Sequence, residues 1–245
     1  MLDTTQEADD FMRLFFEADA CLRGHVRSRL RMDDPRHAIL TLAMVAAKCQ
    51  AEAVPHHVRA CVEAGLGKTE IAEALLQVYC YAGVYASLSA FTAARTELER
   101  LEACGELPVK ARAVVNRRAP AQTVEERVQA GLEKRRELFG LENASRSVGE
   151  ADPFTDMFWE TTLDFCFGNI WSRPTFDRQL RSELCIAIAS ATGQAGAVDR
   201  HVRSALVGGV TRERIAEILL LAYVYGGVYN SLGSFEAAQA VFSDL

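Results

Sequence analysis

One segment of the sequence occurs twice, and this duplication limits the folds that the chain can adopt. His57-Val58-Arg59 begins a run that returns at His201-Val202-Arg203, and half of the positions from His57 to Ala94 are identical to those 144 residues further along. Both runs contain a Tyr-x-Tyr-x-Gly-Val-Tyr signature, and no gap is needed to align them. Such self-similarity indicates a repeated structural unit. The two units are therefore expected to share one fold.

The match extends upstream of this run, with a small change of offset. Gly24 returns as Gly168 after 144 residues, whereas Phe15 returns as Phe158 after 143. Between the repeats lie a Gly- and Pro-containing stretch and then a charged, helix-compatible one. The sequence predicts a first repeat over residues 1–104, a linker over 105–122, and a second repeat over 123–245 that begins with one extra helix.

The periodicity of apolar residues predicts helices in both repeats. Apolar side chains recur at helical spacing, for example Leu40, Ala43, Met44 and Ala47 in the first repeat and Ile215, Ile218, Leu219 and Ala222 in the second. No segment shows the sustained alternation of a strand. We therefore expect an all-α protein in which the two tandem copies form a pseudo-twofold pair.

Composition and charge restrict the classes of function. The net charge of −6 disfavours nucleic acid and anionic membranes as partners, and no apolar stretch reaches the roughly 18 residues that a membrane span needs. The polar N-terminus does not resemble a signal peptide, and the seven cysteines include no C-x-x-C pair. These features predict a cytoplasmic protein with reduced thiols. No metal site is predicted, because the adjacent His56 and His57 lack the i, i+4 spacing of helical zinc ligands.

Several motifs resemble the carboxymuconolactone decarboxylase family, whose helical fold is shared with the AhpD-type alkylhydroperoxidases. Both copies carry the His-Val-Arg motif and the Tyr-x-Gly-Val motif. The second copy is more similar, particularly to the γ-carboxymuconolactone decarboxylase branch, and the segments that carry this likeness are Arg136–Gly140, Arg146-Ser147, Phe167–Pro174, Arg181-Ser182 and His201–Arg203. The Trp171-Ser172-Arg173-Pro174 string is the most specific of them. The first copy matches only the core pattern of the family.

The resemblance implies an AhpD-like helical bundle and cofactor-independent chemistry on a small molecule. The implied substrate is a carboxylated lactone or a similar small cyclic acid from the catabolism of aromatic compounds. Single-domain members of the family assemble as hexamers, so a two-copy chain is expected to form a homo-oligomer, a trimer with the same total number of domains.

Decarboxylation of such an acid needs a cationic anchor for the carboxylate, a donor to the developing enolate oxygen, and an acid that reprotonates carbon. The catalytic candidates are His201, Glu183, His57 and Glu52. The candidates for substrate binding are Arg203, Trp171, Arg173, Tyr225, Tyr229 and Asn230. The resemblance places most of the activity in the second copy, and the first copy is expected to contribute Glu52 or His57 to a composite site.

The sequence departs from the family at two functional positions. The AhpD-like relatives have a Cys-x-x-Cys pair before the His, but Gln194 and Ala197 occupy those positions, which argues against thiol peroxidase chemistry. The decarboxylase branch has a Glu where Ala197 stands. Two alternatives to the decarboxylase therefore remain: the same fold used as a cyclase, isomerase or decarboxylase on a natural-product (polyketide-like) intermediate, and a non-catalytic oligomeric binding protein.

Overall fold

The computed structural model describes residues 4–112, 123–140 and 153–244, in which all regular structure is helical. Arg146 and Ser147 of the family-like motifs lie outside these ranges. The helices are α1 (Thr4–Arg27), α2 (Asp34–Ala47), α3 (Val54–Glu63), α4 (Lys68–Ala82), α5 (Val84–Ala103), α6 (Val109–Arg112), α7 (Val124–Phe139), α8 (Pro153–Thr161), a π-helix (Thr162–Trp171), α9 (Arg178–Ala191), α10 (Ala195–Val207), α11 (Arg212–Gly226) and α12 (Val228–Ser243). None of the helices described is long and apolar enough to cross a membrane.

The two copies begin their helices with the same local devices. Asp33 caps α2 by accepting a hydrogen bond from the Arg36 amide at 2.9 Å, and Asp177 caps α9 through the Leu180 amide at 2.7 Å. Such caps satisfy amides that have no partner within the helix. Because α2 and α4 start and stop 144 residues before α9 and α11, the duplication predicted from the sequence is confirmed in the structure.

The core lies where the two copies meet. Helices α2 and α9 pack against each other, and their central residues are buried along the whole of residues 38–47 and 181–191. Helix α4 of the first copy packs on α9 and on the π-helix of the second, while α11 packs on α2 and α1 of the first. Each contact has its counterpart with the copies exchanged. The predicted pseudo-twofold pair of all-α units is therefore confirmed.

The π-helix marks the largest difference between the copies. It occupies the place at which the offset between the repeats changes from 143 to 144, and its equivalent in the first copy is the regular end of α1. One additional residue in a helix widens it locally into π geometry, which is common at functional sites. Helix α7 crosses this segment so closely that a Cβ at Gly131 would lie 2.0 Å from the Leu163 carbonyl oxygen.

Candidate active site

The centre of the candidate site is His201, which meets a tyrosine from the other copy. The imidazole of His201 on α10 lies edge-to-face against the ring of Tyr81 on α4, with 5.3 Å between ring centroids. Phe139, the last residue of α7, also lies edge-to-face against this imidazole, with 6.1 Å between ring centroids. Helix α4 belongs to the first copy, whereas α7 and α10 belong to the second. Neither repeat therefore builds the site by itself. His201, Tyr81, Phe139 and Trp171 are named the His201 centre below.

Tyr81 is held from several sides. The indole Nε1 of Trp171 donates a 2.8 Å hydrogen bond to the Tyr81 hydroxyl, and the Sγ of Cys166 lies 3.7 Å from the same oxygen. Burial raises the pKa of Tyr81 well above its usual value, and burial likewise raises the pKa of the Cys185 thiol to about 12. Tyr81 and Cys185 are therefore protonated at neutral pH. The two cysteines, Cys166 and Cys185, act here as packing groups and weak hydrogen-bond partners.

The electrostatics of His201 favour the neutral imidazole. Burial, assisted by the positive charge of the adjacent Arg200, lowers the pKa of His201 to about 4. Its Nδ1 is buried and has no hydrogen-bond partner among the described residues. Buried polar nitrogens are nearly always hydrogen-bonded, so an unpartnered one marks a place where a ligand group can bind.

A polar network lies behind Tyr81 and joins the two copies. Glu73 accepts from Arg173 at 2.5 Å and from Arg181 at 3.3 Å, and both arginines come from the other copy. Arg181 also donates to Gln77 Oε1 at 2.9 Å, and Gln77 Nε2 donates to the Sγ of Cys185 at 3.1 Å. Glu73, Gln77 and Tyr81 follow one another at i, i+4 spacing on one face of α4. The network therefore fixes the helix face from which Tyr81 projects.

Three of the predicted substrate-binding residues have other surroundings than the His201 centre. Arg203 lies at the surface of α10 and pairs with Asp199 and Asp244. Tyr229 is 84% exposed at the start of α12. Asn230 donates to the Ala191 carbonyl oxygen at 3.2 Å. Arg203 and His201 stand at i and i+2 on α10, so their side chains leave the helix in different directions, and a role of Arg203 in substrate binding stays a prediction.

The other predicted residues lie in several different places. Trp171 belongs to the His201 centre, and Arg173 belongs to the network behind it. His57 and Tyr225 contact each other in an equivalent place formed with the copies exchanged. Of the acidic candidates, Glu183 is buried in an ion pair with Arg36, and Glu52 lies exposed in the turn before α3. Neither carboxylate is hydrogen-bonded to His201 within the described part of the chain.

Several residues of the site do not stand out in the sequence. Tyr81 reads there as a core or interface aromatic, and the structure adds that it contacts His201 across the interface. Arg200 is not among the candidates, although it stands next to His201 in the sequence. Glu73 suits helix-dipole stabilisation by its position and is in fact buried between Arg173 and Arg181. The sequence feature that could have revealed Glu73 and Tyr81 is their presence in both copies, where Glu217 and Tyr225 are the equivalent residues.

Comparison with known proteins agrees with the two-copy helical fold. The sequence pattern of the carboxymuconolactone decarboxylase family matches residues 22–96 and again residues 158–240. The chain belongs to the carboxymuconolactone decarboxylase family. The resemblance drawn from the sequence motifs is thereby confirmed, and the two matched regions correspond to the two copies.

Two relatives in this family are decarboxylases. The 4-carboxymuconolactone decarboxylase of Acinetobacter baylyi is 33% identical over 121 residues, which are 49% of this chain and 90% of the relative. The nitrosuccinic acid decarboxylase of Metarhizium robertsii is 29% identical over 115 residues, 47% of this chain and 80% of the relative. These relatives confirm the interpretation of the chain as an enzyme of the carboxy-lyase type.

A solved structure shares the fold over both copies. It is a candidate gamma-carboxymuconolactone decarboxylase subunit from Burkholderia xenovorans, with a TM-score of 0.55 and 20% sequence identity, covering 98% of this chain and 92% of its own. At this identity the likeness concerns the fold. It confirms that a carboxymuconolactone decarboxylase fold extends along nearly the whole two-copy chain.

Proposed function

We propose that this family member is a cofactor-independent decarboxylase of a small cyclic acid, and that the reaction takes place at the His201 centre. The observation that carries the proposal is the His201 imidazole, which is buried against the rings of Tyr81 and Phe139 and keeps an unpartnered buried Nδ1 among the described residues. The names of the two decarboxylase relatives support the reaction class.

The surroundings of His201 suit the loss of CO2 from a bound carboxylate. When the C–C bond breaks, its electron pair moves onto the neighbouring carbonyl oxygen, so a localised charge becomes a dispersed one. Exclusion of water removes the solvation that stabilises the starting carboxylate, and preorganised donors can stabilise the enolate. The aromatic enclosure supplies the first condition. The neutral imidazole of His201 can supply the donor, while the charge of Arg200 attracts the anion.

The reaction must also add one proton to carbon in exchange for CO2. A negative enolate beside His201 favours the protonated imidazole, because an adjacent opposite charge raises the pKa of a histidine. In the proposed sequence, His201 takes a proton from solvent as the enolate forms and transfers it to the carbon that lost CO2. One proton is consumed and one CO2 is released in each turnover, with no change of oxidation state at the protein.

The direct test is to incubate the protein with γ-carboxymuconolactone and to follow CO2 release and loss of the lactone. We expect His201→Asn to lower kcat by about 10²- to 10⁴-fold, the usual contribution of one acid–base group. His56→Asn is the matched control, because His56 is adjacent to the equivalent His57 but exposed. No turnover by a folded wild-type protein would contradict this substrate, and unchanged turnover in His201→Asn would favour a site elsewhere.

The relative that decarboxylates nitrosuccinic acid supports a second candidate substrate class, small acyclic acids with an electron-withdrawing substituent. In such an acid, the substituent accepts the electron pair that the lactone carbonyl would accept. The two classes separate by kcat/KM for nitrosuccinate and γ-carboxymuconolactone, measured on the same preparation. Activity on neither, combined with binding of both, would support the non-catalytic binding protein.

A further inference from the structure

His57 of the first copy and Tyr225 of the second form another histidine–tyrosine pair, which mirrors the His201 centre. His57 on α3 lies edge-to-face against Tyr225 on α11, with 5.5 Å between ring centroids. The pseudo-twofold relation exchanges this pair with His201 and Tyr81, whose centroids are 5.3 Å apart. Both histidines are buried, so the geometry of the pair survived the divergence of the copies.

The side chains around the second pair are different in kind. Aromatic and thiol groups surround Tyr81, whereas three of the equivalent positions in the other copy hold polar groups. The replacements are Arg27 for Trp171, Arg23 for Phe167, and Thr41 for Cys185. A ligand of this second place must therefore be more polar than one bound in the aromatic enclosure of His201.

Thr41 fixes the orientation and the proton of His57. Its hydroxyl can donate to the Ala38 carbonyl oxygen at 3.0 Å, and Oγ1 then accepts in its 3.2 Å contact with His57 Nδ1. Burial, aided by the neighbouring His56, Arg23 and His37, lowers the pKa of His57 to about 4 and keeps the ring neutral. This arrangement favours the tautomer with its proton on Nδ1, which leaves the Nε2 lone pair as an acceptor or base. His201 has no such orienting partner among the described residues.

Arg23 supplies donors on the other side of Tyr225. Its guanidinium carbon lies 5.6 Å from the centroid of the Tyr225 ring, and Nη1 donates to the Tyr225 hydroxyl at 3.4 Å. Asp19 engages Nε at 2.7 and 2.8 Å. A guanidinium carries five N–H groups, so donors of the half-exposed Arg23 remain for a ligand oxygen. Arg23 and His57 thus present a donor and an acceptor against one aromatic ring.

We propose that His57, Thr41, Tyr225 and Arg23 form a second ligand-binding centre, which takes a small carboxylic acid bearing a hydroxyl group. The ligand carboxylate accepts from Arg23, and the ligand hydroxyl donates to Nε2 of His57. This centre is separate from the His201 centre and is independent of the decarboxylation proposed there. It gives the two-copy chain two centres of different chemistry.

The test is NMR of the full-length chain labelled with ¹⁵N in its histidines, titrated with malate and, in parallel, with succinate. Chemical shifts of the two ring nitrogens report which one carries the proton, and His57→Asn assigns the resonances. We expect His57 protonated on Nδ1, and a saturable shift of its Nε2 with malate. Succinate lacks the hydroxyl and should bind about tenfold more weakly, since one hydrogen bond of roughly 1.4 kcal/mol is lost.

Three variants test whether malate binds at this centre. Thr41→Val should release the fixed proton position and weaken malate binding. Thr192→Val is the matched control, because Thr192 makes the same kind of bond, to the Ile188 carbonyl oxygen at 2.8 Å, in the other copy. His201→Asn should leave the malate-induced shift unchanged. A proton on Nε2 of His57, an unmoved His57 signal at millimolar malate, or equal binding of succinate would each overturn the proposal.

Discussion

At the scale of single residues, the buried histidine of the His201 centre should make folding stability depend on pH. The pKa of His201 falls from an ordinary 6.5 to about 4 on folding, so between these values the unfolded chain binds more protons. This contribution is complete above pH 6.5 and is lost as the pH falls towards 4. From pH 8 to pH 5 the loss is about 2 kcal/mol of unfolding free energy.

Urea unfolding at the two pH values measures this contribution. The fall in unfolding free energy should be about 2 kcal/mol smaller in His201→Asn than in the wild type. His56→Asn, which removes an exposed imidazole, should leave the difference as it is in the wild type. An equal pH dependence in wild type and His201→Asn would mean that the imidazole is not neutralised by burial.

The sequence indicated which residue types matter, but not which residues meet. Repeats reveal equivalence, so His57 and His201 could be paired with certainty. They do not reveal adjacency, and the partner of each histidine is the tyrosine of the opposite copy. Arg203 is a candidate anchor by its residue type, and in the structure its guanidinium pairs with Asp199 and Asp244 at the surface.

At the scale of elements, the crossing of α7 over the π-helix depends on the absence of side chains at two glycines. A Cβ at Gly168 would lie 2.2 Å from the Arg127 carbonyl oxygen, which is far inside van der Waals contact. Gly168→Ala should therefore lower the unfolding free energy by about 3 kcal/mol, because backbone must move. Gly24→Ala is the matched control, since Gly24 is the equivalent residue in α1 and its Cβ would meet nothing within 4 Å.

The two substitutions should have effects of opposite sign. Ala is about 1 kcal/mol more favourable than Gly in a helix interior, so Gly24→Ala should be neutral or stabilising. Both effects are read from the melting temperature and from urea unfolding. A mild effect of Gly168→Ala, comparable with that of Gly24→Ala, would show that α7 does not pack closely on the π-helix.

The helices themselves were predictable, because their apolar spacing and caps are local features. Thr211 is a residue type that favours helix N-caps, and it accepts from the Arg214 amide at 3.2 Å. The π-helix was not predicted, although the change of offset from 143 to 144 was visible. A single extra residue can be absorbed in a loop or in a helix, and only the packing of α7 on the widened segment distinguishes these outcomes.

At the scale of the whole molecule, both copies expose the same apolar surface. Tyr85 and Leu88 stand at the start of α5, and Tyr229 and Leu232 stand at the equivalent places of α12, with the tyrosines 82% and 84% exposed. Exposed aromatic residues in clusters are typical of interaction surfaces. Each chain presents this surface twice. When the surface of the first copy of one chain binds the surface of the second copy of the next chain, the chains can close into a ring in which no such surface stays unpaired.

We therefore predict a ring of three chains, the number implied by the hexamers of single-domain family members. Light scattering after size exclusion should give three times the 27.0 kDa of one chain. The double variant Tyr85→Asp with Tyr229→Asp should give the mass of one chain, because each buried aromatic contributes strongly to an interface. Val207→Asp is the control, since Val207 is exposed but its equivalent in the first copy is Glu63. A monomeric wild type, or a double variant that keeps its mass, would place the assembly surface elsewhere or remove it.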